Sequence, residues 1–221
     1  HLWPYIEEAR TNGAKVVVID PVRTMTAESA DQFVQPLPGT DVALMLAMMH
    51  VLVRDDLVDH DYVNRHTTGY DRLVAHVAEW SPERASGITG LPVADIEALA
   101  REYGTTRPVM IRTLIGAEHR ENGAMFFRTL SILPTLVGAW RDRGGGFARS
   151  VGSYAEPFVD TSGFDVPHLS AGKTRRALSM NRLGANLTDE TLDPPVKALF
   201  VYNGNPLAPA PDAGRTRRGL R

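Results

Sequence analysis

Four consecutive β-branched residues, Val16, Val17, Val18 and Ile19, run straight into Asp20, and no other feature narrows the fold of this chain as much. Such a run suits a strand buried on both faces of a parallel sheet. Asp20 then falls at the strand's carboxyl end. Ligands collect there in open α/β sheets, and an acid after the second strand commonly reads a hydrogen-bond donor on a nucleotide. The glycine-rich first turn of such a unit belongs about twenty residues upstream. Residues 1–15 instead read as a helix with Leu2, Trp3, Ile6 and Ala9 inward, ending at Gly13. The first βα unit is therefore expected outside this segment.

Beyond the strand, Asp41 precedes an apolar stretch, residues 42–53, with almost no polar face, which predicts a helix packed between layers. Residues 62–80 predict two short helices. Ser81 and Pro82 read as an N-cap followed by proline at the first helical position. Residues 92–103 repeat the helical period with Ile96, Leu99 and Ala100 inward, and Gly104 is expected to close that helix. A boundary at residues 105–108 predicts two α/β lobes, over 1–105 and 106–221.

The second lobe opens with a strand over 109–115, then Gly116 and a polar turn ending at Asn122 and Gly123. A helix over 124–140 follows, with Pro134 as a kink; residues 141–147 end it, and Gly144 to Gly146 read as a flexible exit. Residues 148–187 carry weak periodicity and read as a functional loop or a partner-covered surface. A last strand is expected over 196–202, running into Asn203 and Asn205.

Composition removes several function classes. Of 221 residues, 43% are hydrophobic, enough for a substantial core. Net charge is −2 and no long basic block occurs, which argues against nucleic acid as a partner. The arginines at 215, 217, 218 and 221 read as a solvated helix face. With no cysteine, the segment forms no disulfide, thiolate zinc site or cysteine-held iron–sulfur cluster. No apolar stretch reaches transmembrane length, so direct membrane insertion is not expected. A cytoplasmic location is expected, with an export signal on a longer parent left open.

The residues alone leave two readings of the acids. Asp41 serves either as a helix cap or as a ligand for a nucleotide, and Asp20 with Thr24 or Thr26 either stabilises a turn or faces a cofactor. Likewise Asn205 follows the expected last strand, where an amide can read a cofactor or form a turn.

Five segments in order, GAKVVVIDPVRTMTAESAD, PLPGTDVALMLAM, IRTLIGAEHRENG, FFRTLSILPTLVGAWRDRGGG and KALFVYNGNP, resemble the molybdopterin oxidoreductases of the dimethyl-sulfoxide-reductase family, which includes formate dehydrogenases and prokaryotic nitrate reductases. The resemblance covers nearly the whole chain. It implies a central piece of a longer multidomain catalytic subunit that binds molybdenum or tungsten through molybdopterin guanine dinucleotide and performs two-electron chemistry on a small-molecule substrate. An electron-transfer subunit and the remaining domains are the implied partners, with any iron–sulfur cluster outside this segment. It further implies that Asp20, Pro21, Arg23 and Thr24, then Gly39, Thr40 and Asp41, contact a guanosine end. The turn carrying Gly116 and Glu118 would reach toward metal and pterin, where a glutamine is common at the position of Glu118. His119 or Arg120 would then neutralise that carboxylate, and Asn205 would read the cofactor. A cofactor-free scaffold subunit and a nicotinamide-dependent dehydrogenase are the alternatives.

Overall fold

The computed structural model describes residues 2–119, 123–149, 156–160 and 176–221. It divides the chain into two compact units, residues 1–156 and 157–221. Arg120, Asn122 and most of the stretch 148–187 lie outside the described residues.

The first unit is helix-rich α/β with two small parallel sheets. Helix α1 (Trp3–Thr11) leads through Gly13, at φ +92°, into β1 (Val17–Ile19). A short helix α2 (Met25–Glu28) separates β1 from β2 (Gln32–Val34). The two strands pair in parallel with Ile19 opposite Val34, the arrangement that a crossover connection permits. Val16 to Val18 are only half-buried and Ile19 is exposed, so the expectation of a strand covered on both faces does not hold. The physical reason is that β2 covers one edge and no second layer closes over Ile19 within the described residues.

Ion pairs add to the apolar contacts of Val34 and Val17 in holding this sheet. Arg10 donates to both carboxylate oxygens of Asp31, at 3.1 and 2.6 Å, while Asp31 accepts the Val16 backbone N–H at 2.8 Å. Arg10, and then the Val16 amide, hold the Asp31 carboxyl below its ordinary range. Lys15 reaches Glu102 on the helical core at 2.7 Å.

That core is built on α3 (Asp41–Arg54), buried from Ala43 to Met49 and again at Val51 and Leu52. It packs against α5 (Tyr70–Val77), α6 (Pro82–Thr89), α7 (Val93–Thr105) and α8 (Gly123–Leu136), as a helix without a polar face must. The pair of short helices is α4 (His60–His66) and α5, and Ser81 caps α6 by accepting from the Arg84 backbone N–H at 3.3 Å. Buried Ile96, Leu99 and Ala100 form the inner face of α7. Gly104 does not close that helix, which continues to Thr105. A Cβ there would stand 2.6 Å from Leu52 Cδ2 and 3.0 Å from Leu57 Cδ1, so the glycine is what lets α7 approach α3.

The C-terminal end of α3 is fastened to α7 by charge. Asp55 accepts from Arg54 Nε at 2.8 Å and from Arg101 Nε at 2.7 Å, and Arg54 also reaches Glu97 at 2.8 Å. Arg54 first, and Arg101 with it, hold the Asp55 carboxyl down from 3.8 to about 2. A depressed carboxylate stabilises the fold fully above its unfolded value and loses that contribution as pH falls through the folded value. Wild type is therefore expected to lose stability between pH 3.8 and about 2 more steeply than Asp55→Asn. Thermal melts of both proteins across that range check it, and parallel curves would refute it.

Beyond α7, β3 (Met110–Arg112) pairs in parallel with β4 (Gly146–Ala148), with Arg112 opposite Ala148. The glycines read as a flexible exit thus lead into a strand. Gly146, at φ +92°, lies against the Trp140 ring with no room for a Cβ. Helix α8 crosses between β3 and β4, presenting Phe126, Leu130, Leu133 and Leu136 to the core, and it continues through Pro134 for two residues. Because α3 packs on both α7 and α8, one apolar core runs past residues 105–108.

In the second unit, α9 (Leu183–Leu187) and α10 (Ala213–Gly219) pack closely, with Gly184 against the Thr216 backbone. Arg217, Arg218 and Arg221 are exposed, and Arg215 bonds to Thr188 Oγ1 at 2.8 Å. Residues 196–202 form no strand, contrary to expectation, and Phe200 and Tyr202 are 89% and 85% exposed. Their β-prone composition finds no pairing strand among the described residues, and a strand depends on its neighbour. No described helix is long and apolar enough to cross a membrane.

Candidate functional site

The carboxyl edge of the β1–β2 pair gathers most of the residues singled out from sequence. With Ile19 opposite Val34, the chain leaves both strands at the same end. Residues 20–24 follow one strand and residues 35–41 the other. Asp20 extends the pairing by donating its backbone N–H to Val34 O at 3.1 Å. The Gln35 side-chain amide then donates to Pro21 O at 2.9 Å, tying the two loops together. Gln35 was not singled out from sequence. Recognising residues 32–34 as a strand would have placed it beside Asp20.

Each loop is set by local chemistry. One Asp20 oxygen accepts the Val22 backbone N–H at 2.8 Å, a two-residue side-chain turn. Thr24 caps α2 by accepting the Ala27 N–H at 3.3 Å. Leu37 N–H bonds to Thr89 O at 2.8 Å, anchoring the second loop to α6. Gly39 takes φ +81°, a conformation that side chains disfavour. Thr40 occupies the N-cap position of α3 and donates its hydroxyl to Leu37 O at 2.6 Å; Asp41 is the first helical residue. Asp41 is thus not the cap.

What these groups leave unused is informative. The Asp41 carboxylate and the second oxygen of Asp20 have no hydrogen-bond or ion-pair partner among the described residues. Arg23 is exposed and lies over the Phe33 ring, 4.6 Å from its centroid, also without an anionic partner among them. The edge therefore offers two carboxylates as acceptors and one guanidinium as a forked donor. That donor set fits a guanosine joined to phosphate: carboxylates for the adjacent N–H groups of guanine, a guanidinium for the phosphate.

A second cluster stands at the carboxyl edge of β3–β4. Gly116 and Glu118 form a 3-10 turn after β3, and Gly116 has open space around it. Gly123, at the start of α8, has no room for a Cβ because the Glu118 carbonyl lies against it. The Glu118 carboxylate is paired with Arg149, just beyond β4, whose guanidinium lies 4.8 Å from the Phe127 ring centroid. Among the described residues the neutralising partner of Glu118 is thus Arg149 and not the exposed His119, while Arg120 lies outside the described residues. The glutamate and arginine are 31 positions apart, so only the β3–β4 pairing, unseen in the sequence, could have revealed them together.

Asn205 belongs to the second unit. It is exposed, and its side-chain oxygen accepts the Leu207 N–H at 3.2 Å, forming a turn. His50 is committed to the Val77 carbonyl through Nδ1, at 2.9 Å. Among the described residues, no group of three or more His, Asp or Glu side chains converges as a metal cluster would.

Residues 5–221 match the family model described as molybdopterin oxidoreductase. A probable oxidoreductase, YoaE of Bacillus subtilis, is 41% identical over 220 residues, covering 100% of this chain and 32% of the relative. Dimethyl sulfoxide reductase DmsA of Escherichia coli is 31% identical over 230 residues, covering 91% of this chain and 28% of that protein. Among solved structures, acetylene hydratase from Pelobacter acetylenicus superposes with a TM-score of 0.61 at 29% identity, over 65% of this chain and 20% of that one. The chain spans about a third of the length of the curated relatives it matches.

Proposed function

The chain belongs to the molybdopterin oxidoreductase family, and from that premise we propose that it is a cofactor-holding part of a longer catalytic subunit. Its β1–β2 edge binds the guanosine end of a molybdopterin guanine dinucleotide. The observation that carries this reading is the joining of the 20–24 and 35–41 loops at one strand edge, by Gln35 on Pro21, with two carboxylates and a guanidinium left unpaired among the described residues.

In this reading the free oxygen of Asp20 and the carboxylate of Asp41 accept guanine N–H groups as charge-assisted bonds. Arg23, steadied on Phe33, takes a phosphate with its fork. Pro21, Thr24 and Thr40 shape the two loops, and Gly39 lets the backbone approach. When bound, the molybdenum or tungsten centre supplies two-electron redox chemistry, and the protein binds, orients and tunes it. At the β3–β4 edge, Glu118 with its charge balanced by Arg149 is an acceptor toward the cofactor, and Gly116 leaves space beside it. Asn205 is a further contact in the assembled subunit. The division into lobes over 1–105 and 106–221 would place one parallel pair in each, joined by the apolar core that runs past 105–108.

The reaction class is oxidoreduction of a small molecule, with formate or nitrate chemistry among the family's range. A solved relative named as a hydratase is a reminder that the substrate follows from the site and not from the fold. The segment alone is expected to turn over no substrate, because the chemistry belongs to the cofactor and the remaining domains.

One observation favours the scaffold alternative: Glu118 is already satisfied by Arg149 and needs no cofactor. Metal content and acid-released guanine nucleotide, measured on the native full-length protein, separate the readings. Molybdenum or tungsten with about two guanine nucleotides per metal is expected. Absence of both from matured protein would favour the scaffold.

A further inference from the structure

Away from both strand edges, a cavity of about 480 Å³ lies between α4, α5 and α8. None of the residues proposed to hold the cofactor lines it. Arg72 comes from α5 and Arg128 from α8, with Thr68 at the turn between α4 and α5. Ile132, one turn after Arg128, and Leu73 supply apolar wall. No Asp or Glu is among the lining residues. Neither arginine has a hydrogen bond or ion pair from its side chain to any described residue, nor does the Thr68 hydroxyl.

Both arginines are exposed along this half-open groove. The same unit pairs Arg10, Arg54, Arg101, Arg141 and Arg149 with carboxylates. Two guanidiniums that line one groove without a direct ion pair among the described residues give it positive character, which a bound anion would complement. The volume lies within the range of small-molecule sites, generally about 300–1,000 Å³, and leaves room beyond a bare phosphate for an organic portion against Ile132 and Leu73.

We propose that this cavity binds a small organic oxyanion, its charged head held by Arg72 and Arg128 and its apolar part packed on Ile132 and Leu73. The head is a phosphate or a carboxylate, since both match the planar fork of arginine. The site is separate from the cofactor edge and does not depend on that reading.

The test uses the intact parent protein and three probes, phenyl phosphate, benzoate and inorganic phosphate, followed by isothermal titration calorimetry. Phenyl phosphate or benzoate should bind more tightly than inorganic phosphate, and whichever of the two binds tighter identifies the head group. Arg72→Gln and Arg128→Gln should each weaken binding about tenfold to a hundredfold, as loss of a charge-assisted hydrogen bond does. Ile132→Phe narrows the apolar wall and keeps both charges; it should weaken the aromatic probes while leaving inorganic phosphate within about twofold. Thermal melts confirm that each variant is folded. Absence of binding to all three probes in wild type, or equal affinity in the folded arginine variants, would overturn the proposal.

Discussion

Leu52→Ala is expected to cost about 2–5 kcal/mol of local stability, the range for emptying a fully buried leucine site. Leu52 has no exposed surface and lies on the last buried turn of α3, facing α7 where Gly104 allows the two helices to meet. A methyl at Gly104 would lie 2.6 Å from Leu52 Cδ2, so Gly104→Ala alone should cost about 1–3 kcal/mol as overpacking. In the Leu52→Ala background the same methyl enters space that the leucine vacated, and helix propensity favours alanine over glycine by about 1 kcal/mol. The two losses should therefore fall short of additive, with a coupling of about 1 kcal/mol or more. Hydrogen exchange of the α3 and α7 amides in the intact protein reads this directly, since it reports local opening. Additive losses would mean that the two helices are not close-packed at this point.

Helices with strong local signals were legible. The apolar stretch within α3 leaves it no stable place except the middle of a helical core, and Ser81 with Pro82 starts α6 by chemistry that needs no tertiary contact. Strands were legible where a run rich in β-branched residues marked them, as at β1 and β3, and not where pairing alone makes them, because that stability is non-local. Gly146 and Ala148, which flank Phe147, have little β preference, yet the three residues pair with β3 across 33 intervening residues. Residues 196–202 have the preference and no partner among the described residues. Gly104 marked a helix end by its residue type, whereas its actual role, close approach to Leu52, depends on a helix some fifty positions away.

The candidate site divides along the same line. Asp20 was legible because a strand end is a local feature. Asp41 was singled out as a cap or a ligand from its place before an apolar helix, and Gly39 by family resemblance; their place beside Asp20 required β2 and the Gln35 bond to Pro21. The pairing of Glu118 with Arg149 required β4. Sequence thus indicated which side chains are candidates for cofactor contact, while the parallel pairings determined which of them share an edge.

Asp20 offers the sharpest separation between turn-making and cofactor binding, because an asparagine can perform the first and not the second. In Asp20→Asn the side-chain carbonyl still accepts the Val22 N–H that Asp20 now accepts at 2.8 Å. The loop and its bond from Gln35 should persist, and the melting temperature of the intact subunit should stay within about 2 °C of wild type, as for a change of a few tenths of a kcal/mol. The free carboxylate oxygen, however, becomes an amide nitrogen that donates where guanine N–H groups also donate. Losing a charge-assisted acceptor costs about 1.5–3 kcal/mol, so guanine nucleotide should dissociate about tenfold to a hundredfold more readily, and metal content of purified protein should fall with it. Asp20→Ala should show the same cofactor loss together with a lower melting temperature, since it also abolishes the turn. If Asp20→Asn retained metal and guanine at wild-type levels while Asp20→Ala lost them, the aspartate would be a turn residue only, and recognition of the nucleotide would pass to Asp41.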